Sequence, residues 1–257
     1  MIKLKFTVIT VCYNSENSIR KTINSVLNQT YLPYEYLIID GLSTDNTVNI
    51  ARDFQEKFNK KNIHFDIISE KDLGIYNAMN KGIKKAHGDF VSFLNTGDWY
   101  ELDALYNINK LYNTNKFDLI YGGLNYIKPN GFIIEKKSHL DKFIISSRNW
   151  NHPSMFLRRG IYQKYYFDEH YKIYADFELY LKLRKCNLNI EVTQKIITNF
   201  VADGISTRTS IKSAIIRANE KYNAYINNGY SKFYFVESFC WEIFKSLYFK
   251  INSVKRE

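Results

Sequence analysis

Cysteine is scarce in this chain, and uninterrupted apolar stretches are short. The 257 residues include three cysteines, Cys12, Cys186 and Cys240, and no two of them have the spacing of a paired-cysteine motif. This usage argues against a disulfide-stapled fold and against a cysteine metal site, and it suits a reducing compartment. No apolar run reaches the roughly eighteen residues that a transmembrane helix needs. No signal peptide precedes the first predicted strand, so we expect a cytoplasmic protein.

Glycine-rich phosphate-binding turns are missing from the start of the chain. The first predicted strand, residues 6–11, leads into Cys-Tyr-Asn instead of the Gly-x-Gly-x-x-Gly turn of dinucleotide-binding folds. Residues 14–18 also contain no glycine, whereas a nucleotidyltransferase normally carries a glycine-rich phosphate loop here. An oxidoreductase is therefore disfavoured, and a nucleotidyltransferase stays open only as a weaker alternative.

Acidic residues are too few to balance the basic ones. Lysine and arginine total 36 against 26 aspartates and glutamates, which gives a formal net charge of +10. Such an excess favours anionic partners such as a nucleotide, a pyrophosphate, nucleic acid or acidic lipid. No recognition helix, zinc finger or aromatic RNA-binding signature is present, so nucleic acid ranks low among these partners.

Hydrophobic residues make up 45% of the chain, which is enough for one large α/β domain with an appendage. Short apolar runs alternate with helical patterns, and this alternation predicts a mostly parallel central sheet flanked by helices, with a helical tail beyond about residue 203. The predicted strands are 6–11, 36–39, 65–68, 90–94 and 119–121. The predicted helices are 19–27, 48–58, 76–86, 102–112 and 177–188, with a hairpin near 129–131.

Polar residues follow the predicted strands at the edge where open α/β sheets bind ligands. Tyr13 can face a base or a ribose, and Asp40 can accept from the N3–H of uracil or from a ribose hydroxyl. Lys71 can contact phosphate, and Asp72 can contact a base or ribose. Each residue also has a plain structural interpretation, such as a rim tyrosine or a charged loop at 70–76.

The turn Asn-Thr-Gly-Asp at 95–98 follows the buried fourth strand. A carboxylate there can hold a hard divalent cation, and the cation can hold a diphosphate. Alone, Asp98 would equally suit the cap of a helix that starts near Glu101. Asp40 and Asp72, which follow neighbouring strands, favour the metal role.

Two features of the second half carry weaker signals. His152 lies in a shaped loop beside Trp150 and Pro153, where it either packs structurally or contacts an acceptor. Asp176 begins a predicted helix, where the helix dipole favours its charged form and a capping role is the simplest interpretation.

Together these segments resemble the bacterial family 2 glycosyltransferases, the inverting GT-A type that builds surface polysaccharide such as lipopolysaccharide or capsule. The likeness is carried by Phe6–Asn14, Ile39–Thr47, Ser69–Gly82 and Phe93–Asp98, with a weaker match over His152–Leu183.

The resemblance implies roles for particular residues. Tyr13, Asp40 and Asp72 would hold the nucleotide at the ends of strands one to three. The family's metal motif is usually Asp-x-Asp, and here Asp98 would be its one direct carboxylate on Mn²⁺ or Mg²⁺, with Asn95 assisting.

The family's catalytic base is the aspartate of a Glu-Asp pair at a helix start, followed by leucine three residues on. Here Ala175 replaces the glutamate, while Asp176 and Leu179 are kept. The resemblance therefore makes Asp176 the base of a single in-line displacement, and we expect it to meet Asp40 and Asp98 around one cleft.

The function expected from this resemblance is transfer of a hexosyl or N-acetylhexosaminyl group from a nucleoside-diphosphate sugar, with UDP favoured. The acceptor would be a hydroxyl of a lipid-linked or oligosaccharide glycan. A non-catalytic nucleotide-sugar-binding subunit stays open because the metal motif is reduced. We expect a catalytic domain over 1–205, with a nucleotide half (1–100) and an acceptor half (101–205), followed by a helical extension over 206–257.

The extension carries an amphipathic helical pattern over residues 236–251. One interpretation is packing on the catalytic domain or on a second copy in a homodimer. The other is an in-plane helix on the inner face of the plasma membrane, which would bring the enzyme to a lipid-linked acceptor. Glu237 and Glu242 on the polar face weaken the second interpretation.

Overall fold

Strands and helices alternate through the first hundred residues, as the apolar spacing predicts. The computed structural model describes residues 2–202, 210–240 and 242. The strands are β1 (Phe6–Cys12), β2 (Glu35–Asp40), β3 (His64–Ser69), β4 (Phe90–Phe93), β5 (Trp99–Tyr100), β6 (Leu119–Ile127), β7 (Ile133–Lys136), β8 (Met155–Arg158) and β9 (Ile190–Val201). The helices are α1 (Ile19–Leu27), α2 (Thr47–Arg52), α3 (Gln55–Lys60), α4 (Ile75–Lys85), α5 (Ala104–Thr114), α6 (Arg159–Lys164), α7 (Ala175–Leu183) and α8 (Ile211–Asn227).

The nine strands of the described residues form one sheet in the order β3-β2-β1-β4-β8-β6-β9-β5, with β7 paired to β6. The first four strands in this order are mutually parallel. Every residue of β1 and β2 is buried, because both faces of a parallel strand are covered. The predicted α/β class is therefore confirmed.

The second half of the sheet is mixed rather than parallel. β8 runs antiparallel between β4 and β6, whereas β9 runs parallel to β6. The short strand β5 pairs antiparallel with β9. Parallel and antiparallel pairings are thus equally common among the described strands. Sequence patterns did not predict β5, β8, β9 or α6. The three strands depend on long-range pairing, and α6 is a helix of only six residues.

Several predicted elements need adjusted bounds. The helix predicted over 48–58 is divided at Asp53 and Phe54 into α2 and α3. The helix predicted over 177–188 begins at Ala175 and ends at Leu183. The hairpin near Gly131 is confirmed, with that glycine at a φ of 79° between β6 and β7.

The chain divides into two compact units. The first contains residues 1–166 and 188–201, which include the whole sheet. The second contains 167–187 and 202–257, including α7 and α8. The functional boundary expected near residue 205 stays a prediction.

Aromatic side chains fill the core of the first unit beneath the parallel strands. Phe6 meets Phe156 edge to face at 5.6 Å, and Tyr36 stacks on Phe65 at 5.5 Å. Such pairs add to the burial energy of the core. The strand ends that carry polar turns are therefore fixed by a packed core.

The carboxyl-terminal pattern falls largely outside the described residues. Residues 234–240 are helical, but 241 and 243–257, which hold most of the predicted amphipathic helix, are not described. Among the described helices, none has the length and apolar character required to cross a bilayer.

Candidate functional site

The carboxyl ends of the parallel strands meet at one edge of the sheet. The pairing register puts Cys12 of β1 opposite Asp40 of β2, and Asp40 opposite Ser69 of β3. The polar turns that follow these strands therefore lie at the same edge, as predicted. This edge is the usual ligand position in open α/β sheets.

Asp40 is fully buried at the end of β2, and its carboxylate organises this edge. One oxygen accepts from the Ser43 backbone N–H at 2.9 Å and from the Ser69 hydroxyl at 2.6 Å. The other accepts from the Ser43 hydroxyl and from the Cys12 thiol. Burial, followed by the neighbouring Asp40, raises the pKa of Cys12, so the thiol keeps the proton it donates.

Both oxygens of Asp40 thus already accept hydrogen bonds from the protein. The carboxylate holds the turn that begins at Gly41 in place. The predicted contact of Asp40 with a nucleotide stays a prediction, since it would require one of these donors to be exchanged.

Gly41 forms the floor of a small cradle in the first unit. A Cβ at this position would collide with the carboxylate of Asp72 and lie 3.5 Å from the Tyr13 ring. Tyr13 itself is 62% exposed. The structure therefore brings together two of the predicted nucleotide-binding residues, one offering an open aromatic face and the other a carboxylate.

The turns on either side of this cradle are tied to each other. The side chain of Asn14 accepts from the Thr44 backbone N–H at 2.8 Å, and the Asn14 N–H donates to the Ser43 hydroxyl at 2.8 Å. Asn14 has a φ of 45°, in the left-handed region where asparagine is tolerated. These bonds fix the backbone next to Tyr13.

The loop after β3 presents Asp72 and Lys71. Asp72 accepts from the Gly74 backbone N–H at 3.0 Å, and Gly74 has a φ of 127° that favours glycine. Lys71 is exposed, and its carbonyl accepts from the Lys81 ammonium at 2.7 Å. The Lys71 ammonium is thus available at the same edge, while its phosphate contact stays a prediction.

Asp98 lies in the turn after β4 and is 4% exposed. Its carboxylate accepts from the Val201 backbone N–H at 2.9 Å. The buried Thr22 hydroxyl donates to the Asp98 carbonyl at 2.8 Å and accepts from the Gly97 N–H at 3.0 Å. Sequence reasoning missed Thr22, although a threonine on the apolar face of α1 was the signal for it.

This turn offers oxygen atoms that could act as ligands of a divalent cation. The Asn95 Oδ1 atom is buried, and no hydrogen-bond partner for it exists within the described residues. Yet in those same residues no group of three or more His, Cys, Asp or Glu side chains is placed to hold a metal. One carboxylate and one amide oxygen suit Mg²⁺-like ions, which are commonly held by one or two carboxylates together with substrate phosphates.

The predicted acceptor residues His152 and Trp150 lie in the interior of the first unit. They are 7% and 5% exposed, and their rings are 5.7 Å apart. His152 also stacks on Phe93 of β4 at 5.7 Å. The packing supports the structural interpretation offered for His152, and contact of either residue with an acceptor stays a prediction.

Burial of His152 makes the fold sensitive to acid. Desolvation lowers the pKa of this imidazole from 6.5 to about 3. The unfolded chain therefore binds a proton that the folded chain does not, and stability present above pH 6.5 is lost as the pH falls towards 3. As the pH falls from 6.5 to about 4.5, protonation of His152 in the unfolded chain should lower the free energy of unfolding by about 2 kcal/mol.

Urea denaturation of wild type and His152→Gln over this pH range checks the expectation. The variant should lose less stability on acidification, because glutamine takes up no proton. His139→Gln removes an exposed imidazole and should parallel the wild type. Parallel profiles for wild type and His152→Gln would refute the assignment.

Asp176 lies in the second unit, as the second residue of α7, and is half-buried. Its carboxylate accepts from the Phe177 backbone N–H at 2.8 Å. The positive end of the helix dipole favours the charged form of an aspartate in the first turn. Asp40 and Asp98 belong to the first unit, so a common cleft for the three carboxylates stays a prediction.

Comparison with known proteins gives a family match over most of the chain. Residues 7–180 match the family model described as glycosyl transferase family 2. One curated relative is the dolichyl N-acetyl-alpha-D-glucosaminyl phosphate 3-beta-D-2,3-diacetamido-2,3-dideoxy-beta-D-glucuronosyltransferase of Methanococcus voltae. It is 28% identical over 228 residues, covering 81% of this chain and 69% of the relative.

Two solved structures share the fold at low sequence identity. Staphylococcus aureus TarS 1–349 in complex with UDP-GlcNAc is 19% identical, with a TM-score of 0.65 over 96% of this chain and 73% of that one. The mannosyltransferase PcManGT of Pyrobaculum calidifontis, in complex with GDP-Man and Mn²⁺, is 16% identical, with a TM-score of 0.67 over 96% and 74%.

Proposed function

Because this chain belongs to glycosyl transferase family 2, we propose that it transfers a sugar from a UDP-sugar to an acceptor hydroxyl with inversion at the anomeric carbon. The observation that carries the proposal is the cradle formed by Gly41, Tyr13 and Asp72 at the carboxyl edge of the parallel strands. An open aromatic ring beside a carboxylate suits a nucleoside, which offers a flat base and hydrogen-bond donors.

Each residue at this edge takes one role in holding the donor. Tyr13 stacks against the base, and Asp72 accepts from the base or the ribose. Lys71 contacts the diphosphate. Asp40 acts through the turn that it holds, and that turn gives the cradle its floor.

A divalent cation, Mn²⁺ or Mg²⁺, fits the turn after β4. Asp98 and the buried Oδ1 atom of Asn95 would hold it together with donor phosphate oxygens. When bound, the cation neutralises charge on the departing nucleoside diphosphate. The structure of the Pyrobaculum calidifontis mannosyltransferase in complex with Mn²⁺ supports this assignment by fold similarity.

Asp176 is the general base of the proposed reaction. Its carboxylate takes the proton of the acceptor hydroxyl as that oxygen forms a bond to the anomeric carbon. The bond from this carbon to the diphosphate oxygen breaks in the same step, and UDP leaves with the electron pair. No covalent sugar–enzyme bond is formed, so the configuration inverts.

The acceptor is proposed to be a glycan hydroxyl, free or lipid-linked. The Methanococcus voltae relative, named for a dolichyl-linked sugar phosphate, supports the lipid-linked form. The net charge of +10 is compatible with binding at an anionic membrane surface on the cytoplasmic side. Homodimer formation and membrane contact through the carboxyl-terminal helix stay predictions.

A non-catalytic sugar-nucleotide-binding subunit is the second candidate. It is favoured by one observation, the absence of a three-acid metal cluster among residues 2–202, 210–240 and 242. The two candidates share the donor site and differ in whether Asp176 supports turnover. The family match leaves the nucleotidyltransferase alternative without support.

Calorimetric titration of UDP into Gly41→Ala tests the donor site. The added methyl group displaces the Asp72 carboxylate, which is the mobile end of a side chain, so we expect a small effect on stability. Loss of one charged hydrogen bond to the nucleoside should weaken UDP binding about tenfold or more.

The matched control for this titration is Gly160→Ala. A Cβ at Gly160 meets nothing within 4 Å, so UDP affinity should match the wild type. Wild-type affinity in Gly41→Ala would remove the cradle from the proposal.

A further inference from the structure

The backbone that leads into α7 is held by a residue far along the chain. The N–H groups of three consecutive residues donate to the Glu220 carboxylate of α8. The N···O distances are 2.8 Å from Ile173, 3.1 Å from Tyr174 and 3.1 Å from Lys172. Hydrogen bonds to a charged acceptor are stronger than neutral ones. Asp176 follows this segment by two residues, so Glu220 fixes the main chain that presents it.

A second anchor lies beside the first. The Tyr174 hydroxyl donates to the Glu242 carboxylate at 3.1 Å. Glu242 in turn forms an ion pair with Arg217 at 2.7 Å, and both side chains are almost fully buried. Burial, followed by Glu242, raises the pKa of Tyr174 well above 10, so the phenol keeps its proton and donates.

Both anchors come from the carboxyl-terminal part of the chain. Arg217 and Glu220 are three residues apart on α8 and therefore share a helix face. They lie beyond residue 180, where the family match ends. The α7 helix has no side-chain hydrogen bond from its own N-cap, Tyr174. The entry to α7 is thus fixed by this chain's own carboxyl-terminal segment.

We propose that Glu220 is a positioning residue for the general base, acting through residues 172–174 to set the place of Asp176. This inference rests on the proposed function of Asp176. The Glu220 carboxylate accepts from the backbone N–H groups of residues 172–174, so its proposed effect on the reaction passes through the geometry of α7. A displacement of about 1 Å in a catalytic group can cost about 10²-fold in rate.

Steady-state transfer kinetics of Glu220→Ala and Glu220→Gln test this role. Glu220→Ala should lower kcat by about 10-fold to 10²-fold, because Asp176 is no longer held. UDP affinity should stay within about twofold of wild type, because the proposed donor residues are in the first unit. Glu220→Gln keeps an acceptor oxygen and should recover most of kcat. Asn219→Ala, at the exposed neighbouring position of α8, is the matched control and should be unchanged.

Amide hydrogen exchange supplies a readout that does not depend on turnover. Exchange at residues 172–174 should be faster in Glu220→Ala than in wild type or Asn219→Ala, because these amides lose their acceptor. A wild-type kcat in Glu220→Ala would overturn the positioning role. So would an equal loss of kcat in Glu220→Gln and Glu220→Ala without faster exchange.

The same experiments separate this inference from the function on which it rests. In an Asp176→Asn background, Glu220→Ala should cause no further loss of rate, since both changes act on one step. Full activity of Asp176→Asn alone would refute the base assignment. An inactive Asp176→Asn with a normal Glu220→Ala would refute the positioning role alone.

Discussion

Replacement of Asp176 by asparagine is expected to lower the transfer rate by about 10²-fold to 10⁴-fold, the usual contribution of a positioned base. Asparagine keeps the size of the side chain and can still accept the Phe177 N–H bond that the carboxylate accepts now. It cannot take up the acceptor proton. The fold should persist, and the loss should appear in kcat rather than in donor affinity.

Two measurements check this prediction: product formation under saturating donor, and calorimetric titration of UDP. UDP affinity should stay within about twofold of wild type, because binding precedes proton transfer. The matched control is Asp103→Asn, which makes the same chemical change at the exposed start of α5. Wild-type turnover in Asp176→Asn would remove this residue from the mechanism. A wild-type protein that binds UDP but forms no product would instead favour the non-catalytic alternative.

The parallel half of the sheet was predictable because its signals are local. β1 and β2 are short apolar runs with β-branched residues, and each is followed by a polar turn. Strand and helix alternation then dictates a parallel sheet, and the carboxyl ends must meet at one edge. The proximity of Tyr13 and Asp72 follows from this topology rather than from any single motif.

The mixed half of the sheet was not predictable from the same signals. β9 includes polar residues at several positions, and the parallel partner β6 lies far upstream. Its pairing decides where Val201 lies, and Val201 supplies the N–H group bound by Asp98. A pattern read over about ten residues carries no information on such a contact, so the surroundings of Asp98 could be found only in three dimensions.

At the candidate site, too, the sequence predicted some features and missed others. Sequence reasoning identified Asp40 as a polar residue at a strand end, which is correct. It did not anticipate that four donors from the protein would engage the carboxylate, because those donors come from three different segments. Glu220 was missed for the same reason: its carboxylate contacts a loop 46 to 48 positions earlier in the chain.

Replacement of Asp98 by asparagine is the second large effect we expect. The substitution keeps an oxygen for the Val201 N–H and removes the negative charge that would hold a cation. Transfer should fall by about 10²-fold to 10³-fold, the range found when one stabilising group at a developing charge is lost. Asp98→Ala should add a stability loss of about 1–3 kcal/mol, because it leaves the Val201 N–H without this acceptor.

Metal dependence of UDP binding separates the cation role of Asp98 from a structural one. In the wild type, Mn²⁺ should tighten UDP binding relative to chelator, because Asp98 would hold the cation and the cation would supply positive charge for the diphosphate. In Asp98→Asn the affinity for UDP should be nearly the same with Mn²⁺ as with chelator. The converse variant, Asn95→Asp, adds a second carboxylate and should tighten Mn²⁺ binding, since ligand charge sets the affinity for hard cations. Full wild-type activity in chelator would instead mean that the Asp98 carboxylate serves the fold of the turn. Lys71 would then be the proposed group that balances the charge of the leaving diphosphate.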